Sequence, residues 1–172
     1  MTATNFQPLN LKLTDTKTYL FVFVFVAGNI FLPQLCHLIP SGGLIFLPVY
    51  FFTLIASYKF GLKAGLITAL FSPVLNAVLT GMPPMVALPV ILLKSSLLAL
   101  AAAYVANSFK KVSIVLLILV VLSYQMAGSL AEWAITQSFA KAIQDITVGI
   151  PGMLIQIIGG WFLLKKLADY EL

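Results

Sequence analysis

Lysines occupy every second gap between the long apolar segments of this 172-residue chain, and no other feature constrains the fold as strongly. These eight lysines are Lys12, Lys17, Lys59, Lys63, Lys110, Lys111, Lys165 and Lys166. The alternate gaps contain a single lysine, Lys141. Cytoplasmic loops of membrane proteins carry the excess of Lys and Arg. The pattern therefore predicts an even number of membrane spans with both termini in the cytoplasm.

The composition is that of an integral membrane protein, with 61% hydrophobic and 9% charged residues. A span needs about 20 apolar residues, so a chain of this length has room for about six. We predict an all-α, six-helix membrane bundle that forms one transmembrane domain over residues 1–172. The predicted spans are 18–36, 43–58, 62–80, 84–108, 112–136 and 146–166.

Several classes of function lack the residues that they need. The lysines lie at segment ends and not in a basic run with aromatics, which argues against a nucleic-acid partner. Cys36 is the only cysteine, so a CxxC metal or redox site is excluded. The sequence has no HExxH motif and no glycine-rich phosphate loop. We expect no cofactor and no enzyme activity, although an unfamiliar catalytic set on Glu132 and His37 remains an alternative.

Lys94 is the one lysine inside a predicted span. It follows Pro84 by ten residues, which places it roughly 15 Å deep at about 1.5 Å per residue. A lysine at that depth costs about 2.5–3.5 kcal/mol, so it needs a partner or an anionic ligand. Glu132 in the fifth span is within reach. The pair either holds two helices together or binds a ligand, which would be a carboxylate-bearing molecule or a neutral polar ring.

The fifth span carries a polar stripe at helical spacing. Its members are Gln125, Gly128, Ser129, Glu132 and Thr136. A polar face is costly in contact with lipid, so this one must face protein or water. Trp133 flanks the stripe and either stacks on a ligand ring or belongs to the interfacial aromatic belt.

The external half of the chain is also the half that is rich in proline. This indicates irregular backbone around a cavity, although proline is common in membrane helices generally. Asn76 lies on a face of small and polar residues in the third span. His37 ends the first span and precedes a turn of Pro and Gly residues that would suit a lid, with a plain surface histidine as the alternative.

The stretch from Phe46 to Asn107 resembles the S components of energy-coupling factor (ECF) vitamin transporters. It reads FLPVYFFTLIASYKFGLKAGLITALFSPVLNAVLTG over 46–81, has a PPM turn at 83–85, and reads ALPVILLKSSLLALAAAYVAN over 87–107. Within it, the segment from Lys59 to Gly65 is similar to the family's G-x-x-x-G pattern at the start of the third span. The number of spans and the position of the termini also match the family.

The resemblance implies a subunit of the bacterial cytoplasmic membrane that captures a vitamin-like micronutrient from outside. It would deliver this ligand by toppling within a complex of a transmembrane coupling subunit and two ATPases. The regions that form the family's ligand site contain, in this sequence, His37, Ser41, Asn76, Met82, Lys94, Gln125, Ser129, Glu132 and Trp133. The chain departs from the family in its first span, where Ala27-Gly28 replaces an Ala-x-x-x-Ala docking motif. The alternative function is a non-transporting membrane scaffold similar to the rod-shape protein MreD.

Overall fold

The computed structural model describes residues 4–168, and most of them are helical. The helices are α1 (Thr16–Cys36), α2 (Gly42–Phe46), α3 (Phe51–Phe60), α4 (Leu62–Thr80), α5 (Leu88–Phe109), α6 (Ile114–Thr136), α7 (Phe139–Ala142), α8 (Gln144–Thr147), α9 (Ile150–Leu154) and α10 (Gly160–Lys166). A 3₁₀ turn, Pro48–Tyr50, joins α2 to α3, and a π turn, Ile155–Gly159, joins α9 to α10. Two short strands are β1 (Thr4–Asn5) and β2 (Lys111–Val112).

Four of these helices are long and apolar enough to cross a membrane, namely α1, α4, α5 and α6. They correspond to the first, third, fourth and fifth predicted spans. The all-α prediction is therefore confirmed for the described residues, and so is the presence of several candidate membrane spans. In each of the four, an almost unbroken apolar run satisfies its backbone hydrogen bonds within one helix, as lipid requires.

The other two predicted spans, 43–58 and 146–166, are not single long helices. Leu47 has φ 46° and ψ 46°, a left-handed conformation that ends α2. Pro48 follows it, and a proline ring disfavours the right-handed helical conformation in the preceding residue. The second stretch begins its continuous helical part only at Ile150, followed by Pro151, and passes through the π turn. The structure therefore supports four candidate spans where the sequence predicted six.

Hydrogen bonds to backbone groups join segments that are distant in the sequence at one end of the bundle. β1 pairs antiparallel with β2, with Thr4 opposite Val112. The N–H of Leu9 donates to the carbonyl of Lys59 at 2.7 Å, and Lys59 Nζ donates to the carbonyl of Ala168 at 3.3 Å. This lysine end comprises residues 4–17, 59–63, 109–113 and 165–168. It contains the eight lysines that the sequence assigns to one face.

The opposite end, here called the mouth, consists of the connections 37–41, 81–87 and 137–149 together with α2.

Between the two ends, Asn29 joins three helices by buried side-chain hydrogen bonds. Its Nδ2 donates to Thr53 Oγ1 at 3.1 Å and to Ser72 Oγ at 3.2 Å. Its Oδ1 accepts the backbone N–H of Phe52 at 3.2 Å. The side chains of Asn29, Thr53 and Ser72 thus satisfy one another away from lipid.

Candidate functional site

A buried cation between two carboxylates is the main polar feature of the mouth half. Lys94, on α5, is 1% exposed. Its Nζ lies 2.6 Å from Glu132 Oε2 on α6 and 2.7 Å from Asp145 Oδ2 on α8. Burial of an ammonium group is costly unless it is paired, and two carboxylates satisfy that requirement here. We call Lys94, Glu132 and Asp145 the ion triad.

Gly128 leaves the space between α5 and α6 that the side chain of Lys94 occupies. A Cβ atom added to Gly128 would lie 2.6 Å from Lys94 Cγ, closer than real Cβ contacts allow. Because Gly128 has no side chain, the stem of Lys94 passes over α6 and extends toward the mouth. Glu132 lies four residues further along the same helix, which places it on the same face one turn nearer the mouth.

Next to the ion triad lies a cavity of about 330 Å³, here called the polar cavity. The side chains of the triad line it together with Tyr50, Thr136, Lys141 and Gln144. Its remaining wall is mostly apolar, with Leu47, Val90 and Ile91 among its members. The arrangement therefore combines an ionic end with an apolar surface, as small-molecule sites commonly do.

A second cavity of about 480 Å³, the apolar cavity, adjoins the first. Six residues line both cavities, namely Gly43, Leu44, Val49, Pro84, Ala87 and Ile91. His37, Asn76 and Met82 line the apolar cavity only. The two together fall within the size range of ligand pockets, about 300–1,000 Å³.

Several of the predicted site residues line one or the other of these cavities. Lys94 and Glu132 line the polar cavity, and Asn76 and His37 line the apolar one. Asn76 is buried, and its Oδ1 accepts a hydrogen bond from Gln34 Nε2 at 3.1 Å. His37 is exposed at the rim, with its ring against Gly43.

Gln125 and Ser129 lie deeper on α6 than Glu132, and both are buried. Gln125 Nε2 donates to the hydroxyl of Tyr124 at 3.2 Å, and that hydroxyl donates to Gln156 Oε1 at 2.9 Å. Within residues 4–168, Gln125 Oε1 and Ser129 Oγ have no hydrogen-bond partner. These two residues therefore belong to a buried polar layer that does not itself line the two cavities.

Trp133 is not brought to the site. Its side chain is 48% exposed and packs edge-to-face on Phe139, with ring centroids 5.9 Å apart. It lines neither the polar nor the apolar cavity. This position fits the interfacial-belt alternative better than stacking on a ligand in these cavities.

Asp145 is the important residue that sequence reasoning missed, and a charge count could have identified it. Only five residues of the chain are acidic. Three of them, Asp15, Asp169 and Glu171, flank the first and last predicted spans on the side of the eight lysines. A buried lysine in the opposite half therefore has only Glu132 and Asp145 as possible acidic partners.

Within residues 4–168, no three His, Cys, Asp or Glu side chains could hold a metal ion.

The apolar helices α1, α4, α5 and α6 are those of a membrane protein with several spans. No family model matches the sequence, and no curated protein or solved structure matches it.

Proposed function

We propose that this protein is the substrate-capturing membrane subunit of an ECF-type importer, and that it binds a small vitamin-like molecule at the mouth. The observation that carries the proposal is the pair of adjoining cavities, which meets the ion triad at one end. Lysines are concentrated at the other end of the bundle, which the positive-inside rule assigns to the cytoplasm. The mouth then opens to the outside, where an importer must capture its substrate.

In this proposal the chain crosses the membrane six times, with both termini in the cytoplasm. Residues 42–60 and 150–166 are the two broken crossings. Interrupted helices are tolerated at membrane depth where their backbone is covered by protein or lines a cavity. Leu47 and Pro48, which interrupt the first of them, line the polar and the apolar cavity respectively. Discontinuous helices form the substrate sites of many secondary transporters.

The energy for uptake comes from other chains in this proposal. The sequence has no glycine-rich phosphate loop with which to bind ATP. A transmembrane coupling subunit and two ATPases, the partners implied by the family resemblance, would supply it in the bacterial cytoplasmic membrane. The chain itself performs no covalent chemistry, and its task is selective binding.

Ligand capture can be tested on the purified protein in lipid nanodiscs. Small molecules extracted from it are identified by mass spectrometry, and a panel of water-soluble vitamins is then screened for thermal stabilisation. One molecule should protect the protein, because a ligand at 100 times its Kd contributes about 2.7 kcal/mol. A panel without any protection, together with an empty extract, would contradict the proposal and favour the scaffold function.

A further inference from the structure

Within the ion triad, the two carboxylates are more accessible from the polar cavity than the ammonium group. Lys94 is 1% exposed, whereas the side chains of Glu132 and Asp145 are 15% and 16% exposed. Each carboxylate contacts Lys94 through one oxygen, Oε2 or Oδ2. The second oxygens, Glu132 Oε1 and Asp145 Oδ1, make no hydrogen bond or ion pair within residues 4–168. A molecule at this end of the cavity therefore meets the free carboxylate oxygens before it meets the paired ammonium group of Lys94.

The charge balance of the ion triad favours a positively charged ligand. One positive and two negative side chains give the ion triad a formal charge of −1. Lys141 is the fourth charged residue of the lining. It is exposed, so water screens its charge much more than that of the triad. The buried end of the polar cavity is therefore negative.

We infer that the ligand of this site carries a protonated nitrogen, such as an amidinium or amino-heterocycle group, that donates hydrogen bonds to Glu132 and Asp145. This inference rests on the proposed function. Hydrogen bonds between charged partners are the strong ones, and a planar cation can satisfy both free oxygens. Lys94 is then a positioning residue that holds the two carboxylates beside each other.

A carboxylate-bearing ligand, one of the possibilities raised by the sequence, fits this site poorly. To reach Lys94 Nζ it would have to displace Glu132 or Asp145 and leave that carboxylate partly buried without its cation. Loss of one partner from such a pair is strongly unfavourable. The apolar wall of Val90 and Ile91 would instead contact the ring that bears the cationic group.

The test uses three fragments of nearly equal size and different charge: benzamidine, benzamide and benzoate. Their affinities for the nanodisc-embedded protein are measured by saturation-transfer NMR after endogenous small molecules have been washed out. Hydrogen bonds to charged groups contribute about 1.5–3 kcal/mol, which corresponds to roughly ten- to hundredfold in affinity. Benzamidine should therefore bind at least about tenfold more tightly than benzoate, with benzamide between them.

Two charge-neutralising variants separate the site from the rest of the protein. Asp145→Asn should remove most of the preference for benzamidine, whereas Asp15→Asn at the lysine end should leave it unchanged. If Asp145→Asn does not fold, Glu132→Gln serves the same purpose, and the charge series on the unaltered protein decides by itself. Benzoate binding as tightly as benzamidine would overturn the inference and leave the proposed function standing. Failure of benzamidine to bind would also overturn the inference, and the vitamin panel decides the proposed function separately.

Discussion

The stem of Lys94 lies directly over the α-carbon of Gly128. A Cβ atom at position 128 would lie 2.6 Å from Lys94 Cγ and 3.3 Å from its Cε. The conformation of the buried Lys94 on α5 therefore depends on the absence of a side chain at Gly128 on α6. Without the space at Gly128, Lys94 could not lie along α6 toward Glu132 and Asp145.

Gly128→Ala should lower the free energy of unfolding by about 1–3 kcal/mol, the usual cost of overpacking a well-packed interior. The new methyl group displaces Lys94, so binding of benzamidine should weaken as well. The measurement is reversible unfolding in mixed micelles. The matched control is Gly159→Ala, where the nearest atom to the new Cβ is Phe51 Cε2 at 3.3 Å. Equal stability of the two variants would mean that Lys94 relaxes freely.

Lys94→Met keeps the length of the side chain and removes its charge. Glu132 and Asp145 then face each other without a cation, and stability should fall by about 3 kcal/mol. The triple variant Lys94→Met, Glu132→Gln, Asp145→Asn should recover most of this loss, because no unpaired charge remains. Lys141→Met, which alters an exposed lysine of the same cavity, is the control. A stable single variant would show that water solvates the two carboxylates adequately.

Gly152→Ala should destabilise the mouth because α9 packs against the backbone of α2 at this position. The added Cβ would overlap the carbonyl carbon and oxygen of Phe46, which cannot move aside as a flexible side chain can. We expect a loss of about 2 kcal/mol or more in the same unfolding assay. Gly160→Ala is the comparison, since its Cβ meets the side chain of Leu54 at 3.1 Å. A smaller effect at Gly152 than at Gly160 would contradict the close packing of α9 on the backbone of α2.

Asn29→Leu tests the buried hydrogen-bonding group that joins α1, α3 and α4. The change keeps the approximate volume but leaves the N–H of Phe52 without its side-chain acceptor. Stability should decrease by about 0.6–2 kcal/mol, the span between double-mutant cycles and model peptides for interhelical hydrogen bonds in membranes. Asn107→Leu, at an exposed position near the lysine end, should have a smaller effect. If the two variants unfold alike, the Asn29 hydrogen bonds contribute little net stability.

The orientation of the bundle can be checked by cysteine labelling in intact cells. In a Cys36→Ser background, Ser41→Cys at the mouth should react with a membrane-impermeant maleimide added from outside. Thr14→Cys, exposed at the lysine end, should react only after the membrane is permeabilised. The reverse pattern would place the lysine end outside and contradict the positive-inside assignment.

The four long helices could be predicted because each is a nearly continuous apolar run, and the predicted bounds differ from the observed ones by four residues or fewer. The break at Leu47 could not, although Pro48 is plain in the sequence. Pro33 and Pro73 lie inside intact helices, so a proline alone does not show where a helix ends. What distinguishes Leu47 is tertiary packing, since its side chain lies where a Cβ on Gly149 would be.

Two of the three members of the ion triad could be predicted from the sequence. Lys94 was identified from its depth, and Glu132 from its place on the polar face of the same half of the bundle. Helical periodicity does not identify Asp145, because the connection 137–149 has none to show which side chains turn inward. Its position is set by α7 and α8, two four-residue helices that depend on the surrounding fold.

The two ends of the bundle are held together by different kinds of bond. At the lysine end, peptide groups far apart in the chain bond to one another, as Leu9 does to Lys59 and Thr4 to Val112. At the mouth, α8 is joined to α5 by the ion pair between Asp145, the one carboxylate of α8, and Lys94. A change at that ion pair alters how α8 meets α5, whereas separation of the lysine end requires several backbone hydrogen bonds to break together. The contact between α5 and α8 at the mouth thus depends on the charges of two side chains, and the backbone pairing at the lysine end does not.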